Sequence, residues 1–139
     1  MVSFASDYIA GAHPKVLQRL VETNLENLSG YGTDEYCASA AEKIKKACGL
    51  GGDADVFFIS GGTQTNQVVI STMLKDYEGV ICADTGHINA HEAGAIEYFG
   101  VKALPLKGTE GKITAAAVDE YCKTFYGDDN HEQIGRAHV

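Results

Sequence analysis

Apolar residues recur at helical spacing in the first part of the chain, from Pro14 onward. The first such run begins at Pro14, a residue suited to the first turn of a helix, and the polar and glycine-containing residues 29–32 close it. Its apolar members are Val16, Leu17, Leu20, Val21, Leu25 and Leu28. A second helix is predicted to follow, with Thr33 as its cap, acidic residues in its first turn, lysines near its end and Gly49 as its terminator. Two helices are therefore expected to open the chain.

Further along the chain, short apolar runs typical of buried strands alternate with helical patterns. The strands are expected at residues 55–60, 79–83 and 101–106, and the helices at residues 63–74, 87–99 and 114–125. This order predicts an α/β domain with a mainly parallel sheet flanked by helices. Ligands of such sheets bind beyond the carboxyl ends of the strands, so residues 60–66 and 84–91 are the first places to look for a site.

Composition and charge narrow the classes of partner. The 139 residues are 45% hydrophobic, which suits one globular domain with a hydrophobic core. The formal net charge is -8, from 19 acidic and 11 basic residues, which argues against nucleic acid and anionic membranes as partners. Neither a membrane-spanning run nor a secretory leader is visible, so a cytoplasmic protein is expected. The 4 cysteines lack Cys-x-x-Cys spacing and are predicted to be reduced, mostly buried thiols.

The segment most informative about chemistry joins a predicted strand to a predicted helix and reads Ser60-Gly61-Gly62-Thr63-Gln64-Thr65-Asn66. Glycines allow a ligand to approach the backbone closely, and a helix start offers unpaired N–H groups and a positive dipole end. Together with the Thr63 hydroxyl, these features suit a phosphate monoester. The segment lacks the pattern of a nucleotide P-loop or of a dinucleotide-binding turn. On the local pattern alone, an ordinary tight turn capped by Thr63 is the commoner explanation.

Two histidines follow the second predicted strand. His87 and His91 lie four positions apart, so a helix would place them on one face, which is also the spacing of a metal-binding pair. No further ligands are apparent in the sequence, and we expect no metal. Alternatively, a single histidine at a strand end could stack on an aromatic ring or transfer a proton. A surface or capping histidine is the commoner case.

Four segments follow one another along the chain: Ser6-Asp7, Tyr31-Gly32-x-Asp34, Gly61-Gly62-Thr63-Gln64-Thr65-Asn66, and Thr85-Gly86-His87-Ile88 with His91-Glu92-Ala93-Gly94. Together, and in this order, they resemble the threonine aldolase and aromatic amino acid β-eliminating lyase family. Plain helix capping also explains either of the first two. The resemblance runs from Phe4 to about Glu132 and implies the aspartate aminotransferase fold, fold type I. The chain would then form the N-terminal part of the large domain, which binds pyridoxal 5'-phosphate (PLP).

The resemblance assigns cofactor contacts to four residues. Gly61, Gly62 and Thr63 would hold the phosphate of PLP, which agrees with the helix-start argument. His87 would stack on the pyridine ring and act as a base on the substrate hydroxyl. Gly61 stands where the family usually has serine, and Gln64-Thr65 also replaces the usual residues. We therefore expect a divergent subgroup of the family.

Two residues nearer the N-terminus are implied to bind substrate. Ser6 would contact the substrate carboxylate, and Tyr31 would line the site, in one arrangement from the partner subunit of a homodimer or homotetramer. The Schiff-base lysine, the aspartate that pairs with the pyridine nitrogen and a carboxylate-binding arginine are expected beyond this chain. We therefore expect an N-terminal fragment that is inactive by itself.

The activity implied for the full-length parent is that of a PLP-dependent aldehyde-lyase. It would cleave a β-hydroxy amino acid, threonine or allo-threonine, into glycine and acetaldehyde. Two alternatives stay open at this point. One is another PLP-dependent lyase, which eliminates a β-substituent from an amino acid. The other is a non-enzymatic module that binds a phosphate ligand.

The last residues of the chain, 134–139, are what a common sequencing adapter would encode. We expect native sequence to end near Gln133, so that residues 1–133 form the partial PLP-binding domain and residues 134–139 a non-native tail. A genomic read that continues through this point with the same residues, followed by a stop, would contradict this expectation.

Overall fold

The computed structural model describes residues 5, 6, 8–127 and 133–137. Asp7 of the N-terminal motif and the end of the expected tail, residues 138–139, lie outside the described residues. The chain divides into two compact units, Met1–Phe58 and Ile59–Val139. Within the described ranges, no helix is both long enough and apolar enough to cross a lipid bilayer.

The first unit contains the two helices that the sequence predicts, α1 (Pro14–Thr23) and α2 (Glu35–Ala47). Helix α1 begins at the predicted proline, but its predicted end at residues 29–32 is wrong, because the helix stops at Thr23. Threonine and the asparagine that follows it are weak helix formers. Leu25 is 90% exposed, so a longer helix would gain no burial there.

The cap of α2 is Asp34 and not Thr33, which corrects the sequence prediction by one residue. Asp34 Oδ1 accepts a hydrogen bond from the N–H of Cys37 at 2.9 Å, whereas the Thr33 hydroxyl donates to the carbonyl of Gly30 at 2.8 Å. The hydrogen bonds from Cys37 hold the pKa of the Asp34 carboxyl below its ordinary value. At the other end, Gly49 adopts a φ of 66° and ends the helix as predicted.

We expect Asp34→Ala to destabilise the protein at neutral pH, and the difference from wild type to shrink in acid. The folded-state pKa of this carboxyl lies below its unfolded value. Its stabilising contribution is therefore present above the unfolded pKa and is lost as the pH falls through the folded pKa. Urea unfolding of both proteins across the acidic range measures the difference. A difference that stays constant with pH would show that the carboxylate charge contributes nothing.

The predicted strand at residues 55–60 is wrong. Phe57 and Phe58 are 80% and 52% exposed, and the segment is not part of a strand. A strand needs a neighbouring ladder to take its backbone hydrogen bonds. The sheet within the described residues is built from three other segments, and none of them pairs with this run.

The second unit is built on a parallel sheet of three strands in the order β2-β1-β3. The strands are β1 (Glu78–Ala83), β2 (Lys102–Leu106) and β3 (Gln133–Ala137). Strand β1 pairs in parallel with both neighbours, so the predicted parallel sheet is confirmed. Strand β3 falls largely in the expected non-native tail, and its pairing with β1 is irregular between Gly79 and Val80. The origin of that tail stays a prediction.

Helices cover both faces of this sheet. They are α3 (Gly62–Met73), α4 (His87–Ala90) and α5 (Ala115–Gly127). Val80 and Cys82 of β1 pack into a cluster with residues of α3 and α4, whereas Ile81 packs on the opposite face with residues of α5. Because both faces of β1 are covered, residues 79–83 form a continuous apolar run instead of alternating with polar ones.

We expect Ile81→Val to lower the free energy of unfolding by about 1 kcal/mol. Ile81 is fully buried, so removal of one methylene leaves a small cavity between the sheet and α5. Ile44 is 39% exposed, and Ile44→Val is the matched control with a smaller effect. Equal losses in the two variants, measured by denaturant unfolding, would contradict this account of the core.

The four cysteines are free thiols, as predicted, but their burial differs. Cys82 is fully buried in β1, and burial raises the pKa of its thiol. Cys37 and Cys122 are only partly buried and Cys48 is exposed, so the prediction of mostly buried thiols was wrong. Cys48 is the C-cap of α2, where the helix meets solvent.

The predicted helix over residues 87–99 is broken into two short pieces. Helix α4 ends at Ala90, and a 3-10 turn occupies Glu97–Phe99. Between them, Ala93 and Gly94 have φ values of 51° and 78°, which no right-handed helix can contain. The break lets Glu92 point inward, and this residue is only 6% exposed.

Candidate functional site

The candidate phosphate turn forms the start of α3, and this helix end has no side-chain cap. Its N-cap residue is Gly61, which has extended backbone and no side chain to offer. Helices α1, α2 and α5, in contrast, are capped by the side chains of His13, Asp34 and Thr114. An uncapped first turn leaves N–H groups and the positive end of the helix dipole available to an anion.

The same turn has free space beside its glycines and is stabilised by hydrogen bonds from the residues that flank them. A Cβ atom built on Gly61 or on Gly62 would meet no heavy atom within 4 Å, so there is space beside the backbone. The N–H and the hydroxyl of Thr65 both donate to the Gly61 carbonyl at 3.0 Å. Ser60 donates a further hydrogen bond to the amide oxygen of Gln64. Gln64 and Thr65, which like Gly61 depart from the family pattern, therefore hold the turn in shape.

His87 begins α4, directly beyond the carboxyl end of β1. Its side chain is 63% exposed, and its ring centroid lies 5.4 Å from that of His91 at a tilt of 42°. The amide of Asn89 donates to the carbonyl of Asp84 at 2.8 Å and fixes the short helix to the strand end. The structure thus presents an accessible imidazole on a firmly held backbone.

The turn before His87 requires glycine. The N–H of Gly86 donates to the carbonyl of Ala83 at 2.8 Å, and a Cβ atom on Gly86 would lie 2.8 Å from the same oxygen. We expect Gly86→Ala to lower the free energy of unfolding by about 1–2 kcal/mol, because the backbone must shift to relieve the clash. Gly11→Ala, which meets no atom within 4 Å, is the control for thermal unfolding. An unchanged melting temperature in Gly86→Ala would show that the turn is less constrained than its geometry indicates.

A metal site at the histidine pair finds no support in the surroundings. Within the described parts of the chain, no group of three or more His, Cys, Asp or Glu residues is placed to hold a metal ion. The acidic side chain of Glu92 faces His87, with its Oε1 3.8 Å from His87 Nε2.

Asn66, His87 and Glu92 connect the two segments that the sequence placed beyond the strand ends. Glu92 Oε1 accepts a hydrogen bond from Asn66 Nδ2 at 2.7 Å and also faces His87. The amide of Gln67 donates to the carbonyl of Ala95 at 3.1 Å and adds a second link between α3 and the segment after α4. The candidate phosphate turn and the candidate ring-stacking histidine therefore belong to one connected arrangement within the second unit.

Asn66 and Glu92 belong to the two motifs, but no role was predicted for either of them from the sequence. A glutamate in a predicted helix is normally a solvated surface residue, so its burial could not be foreseen from that pattern. The one available signal was Gly94, which is poorly suited to a helix interior and marks the break that turns Glu92 inward.

Ser6 and Tyr31 lie in the first unit. The Ser6 hydroxyl accepts a hydrogen bond from the N–H of Tyr8 at 3.4 Å. Tyr31 is fully exposed and has a φ of 60°, a strained backbone conformation for a bulky residue. Their roles toward a substrate stay predictions.

The fold and these residues define a class of protein. A parallel sheet between helices, with an open glycine turn and an exposed imidazole in one connected arrangement, is an α/β architecture in which ligands bind beyond the strand ends. Residues 3–134 match the beta-eliminating lyase family, and the chain belongs to that family.

Named relatives make the match more specific. A low specificity L-threonine aldolase from Pseudomonas sp. (strain NCIMB 10558) is 34% identical over 119 residues, which are 84% of this chain and 34% of that protein. A second one, from Pseudomonas aeruginosa, is 32% identical over 117 residues, or 83% of this chain and 33% of that protein. The chain therefore spans about a third of the length of these relatives.

A solved structure confirms the fold class. The threonine aldolase of Leishmania major superposes with a TM-score of 0.83 and 39% identity, over 93% of this chain and 37% of that one. The fold is accordingly that of fold type I PLP enzymes, and the described residues form an α/β part of it.

Proposed function

We propose that the full-length protein carrying this chain is a PLP-dependent lyase that cleaves threonine or allo-threonine into glycine and acetaldehyde. The observation that carries the proposal is the connected arrangement of the uncapped α3 start, Asn66, Glu92 and the exposed His87. The similarity to proteins named threonine aldolase, over the segment that contains all of these residues, supports it.

The residues of the second unit fit PLP. The open space beside Gly61 and Gly62 and the uncapped first turn suit its phosphate, and Thr63 adds a hydroxyl at the same place. His87 has the exposed ring needed for contact with the pyridine. When bound, PLP supplies an electron sink for cleavage of the Cα–Cβ bond.

The protein's own groups orient the substrate and move the proton. His87 takes the proton of the β-hydroxyl as the Cα–Cβ bond breaks, a task suited to an imidazole near neutral pH. Ser6 binds the substrate carboxylate and Tyr31 lines the site. A homodimer or homotetramer is proposed for the full-length protein, which would cover the exposed Tyr31.

The lysine that binds PLP covalently is proposed to lie outside this chain. We therefore expect the 139-residue polypeptide to turn over no threonine, whereas the full-length protein does so with PLP. Production of acetaldehyde from threonine is measured for both. Turnover by the 139-residue polypeptide would contradict the assignment of the lysine.

A second candidate reaction is β-elimination from a β-substituted amino acid, which the name of the matched family favours. Product analysis with the full-length protein separates the two reactions. Formation of glycine and an aldehyde in equal amounts would support aldol cleavage. Formation of pyruvate and ammonia would instead show that the enzyme catalyses β-elimination. Binding of PLP without either set of products, at saturating substrate, would overturn both in favour of a binding module.

A further inference from the structure

The roles proposed for the turn at residues 61–63 and for His87 do not explain why Glu92 is buried. The residue lies on the irregular segment after α4, and its side chain is fully buried. Its Oε2 is buried and has no hydrogen-bond partner among the described residues. Buried carboxylate oxygens in native proteins are normally paired, so an unpaired one calls for a specific reason.

The other carboxylate oxygen, Oε1, faces two nitrogen atoms. Asn66 Nδ2 donates to it at 2.7 Å, which anchors Glu92 to the helix whose start forms the candidate phosphate turn. His87 Nε2 lies 3.8 Å from the same oxygen. That separation is longer than a hydrogen bond, but hydrogen bonds of catalytic groups are often long in ligand-free sites and tighten when the ligand binds.

The negative charge at this position acts on the imidazole of His87. A carboxylate on one side of a neutral imidazole favours the form that carries its proton on the facing nitrogen, here Nε2. The second ring nitrogen, Nδ1, then has a free electron pair. His91, the other titratable group in contact with the ring, is exposed and lies 5.4 Å away between centroids.

We propose that Glu92 is a positioning residue for the aldol cleavage, an inference that rests on the proposed function. It keeps the proton of His87 on Nε2 and holds the ring in place, so that Nδ1 accepts the proton of the substrate hydroxyl. In that step the O–H bond breaks, an N–H bond forms at Nδ1, and the resulting imidazolium faces the carboxylate of Glu92.

A purely structural role for Glu92 makes a different prediction. Its hydrogen bond from Asn66 could serve only to connect α3 to the segment after α4. Glutamine has nearly the same size and its amide oxygen accepts the same hydrogen bond, but it carries no charge. Glu92→Gln therefore removes the proposed effect on His87 and keeps the structural one.

The first measurement uses the cofactor-free full-length protein with 15N-labelled histidine. At a pH where imidazoles are neutral, NMR shifts of the two ring nitrogens report which one carries the proton. We expect the proton of His87 on Nε2 in the wild type and a mixture of both forms in Glu92→Gln. Glu97→Gln, an exposed carboxyl on the same segment, is expected to match the wild type. Identical His87 shifts in all three proteins would overturn the proposal.

The second measurement uses the PLP-loaded enzyme. We expect Glu92→Gln to lower kcat for threonine about tenfold with KM within about twofold, because the change acts on the reaction step and not on binding. An unchanged kcat would overturn the proposal.

If Glu92→Gln does not fold, Glu92→Asp takes its place, and it is expected to keep the proton on Nε2 while kcat falls. Absence of any aldolase activity in the wild type would overturn the proposed function, and the ring-nitrogen comparison would still decide the role of Glu92.

Discussion

Replacement of Gly62 by aspartate is expected to weaken PLP binding by about a thousandfold in the full-length protein. An aspartate at the first position of α3 would place a negative charge where the phosphate is proposed to bind. Two like charges about 4 Å apart near a protein surface repel by about 4 kcal/mol, which corresponds to roughly a thousandfold in affinity. Titration of the cofactor-free protein with PLP, followed by absorbance, measures the change.

Two properties of Gly62 make this experiment specific. An acidic residue in the first turn of a helix interacts favourably with the helix dipole, so Gly62→Asp is expected to leave the fold intact. The space beside Gly62 also accepts a side chain without a clash. Gly62→Asn, which has the same size and no charge, is therefore the matched control and is expected to weaken binding far less. Equal affinities of the two variants would mean that no phosphate lies against this turn.

The second large effect is expected at His87. We expect His87→Ala to lower kcat for threonine by about a hundredfold or more, because a positioned acid–base group contributes about that much to a rate. His91→Ala is the control, since that ring is exposed and lies only four residues further along. Unchanged kcat and KM in His87→Ala, measured by the release of acetaldehyde, would exclude the proposed role.

A third variant separates the two tasks given to this ring. His87→Phe keeps an aromatic ring for contact with the pyridine but cannot accept a proton. If proton transfer is the main task, His87→Phe loses as much kcat as His87→Ala. Recovery of most of the activity in His87→Phe would instead assign His87 to stacking alone.

The sequence predicted the second unit well because the signals there are local. Residues 79–83 of the buried strand β1 form a continuous apolar run, and helix α3 starts at the pair of glycines at residues 61 and 62. Parallel pairing then follows from the alternation of strands and helices. The ends of β1 and α3 were each predicted to within one residue.

The sequence predictions were wrong where the structure of a segment depends on contacts with distant parts of the chain, which the local sequence pattern does not reveal. The apolar run at residues 55–60 has strand composition, but no described strand pairs with it. The helical pattern at residues 87–99 is interrupted at Ala93 and Gly94. The glycine is the one sequence signal of this break, because the left-handed conformation of Ala93 is rare for alanine and leaves none. Because this break turns Glu92 inward, the hydrogen bond between Asn66 and Glu92 could not be predicted from the sequence either.

We propose that the turn at Gly61, Gly62 and Thr63 and the ring of His87 together hold PLP. A crystal structure of the full-length protein loaded with PLP tests it most directly. We predict that phosphate oxygens lie about 2.7–3.2 Å from N–H groups of the first turn of α3, with the ring of His87 in contact with the pyridine. A phosphate bound elsewhere, or a pyridine ring that does not touch His87, would contradict the account.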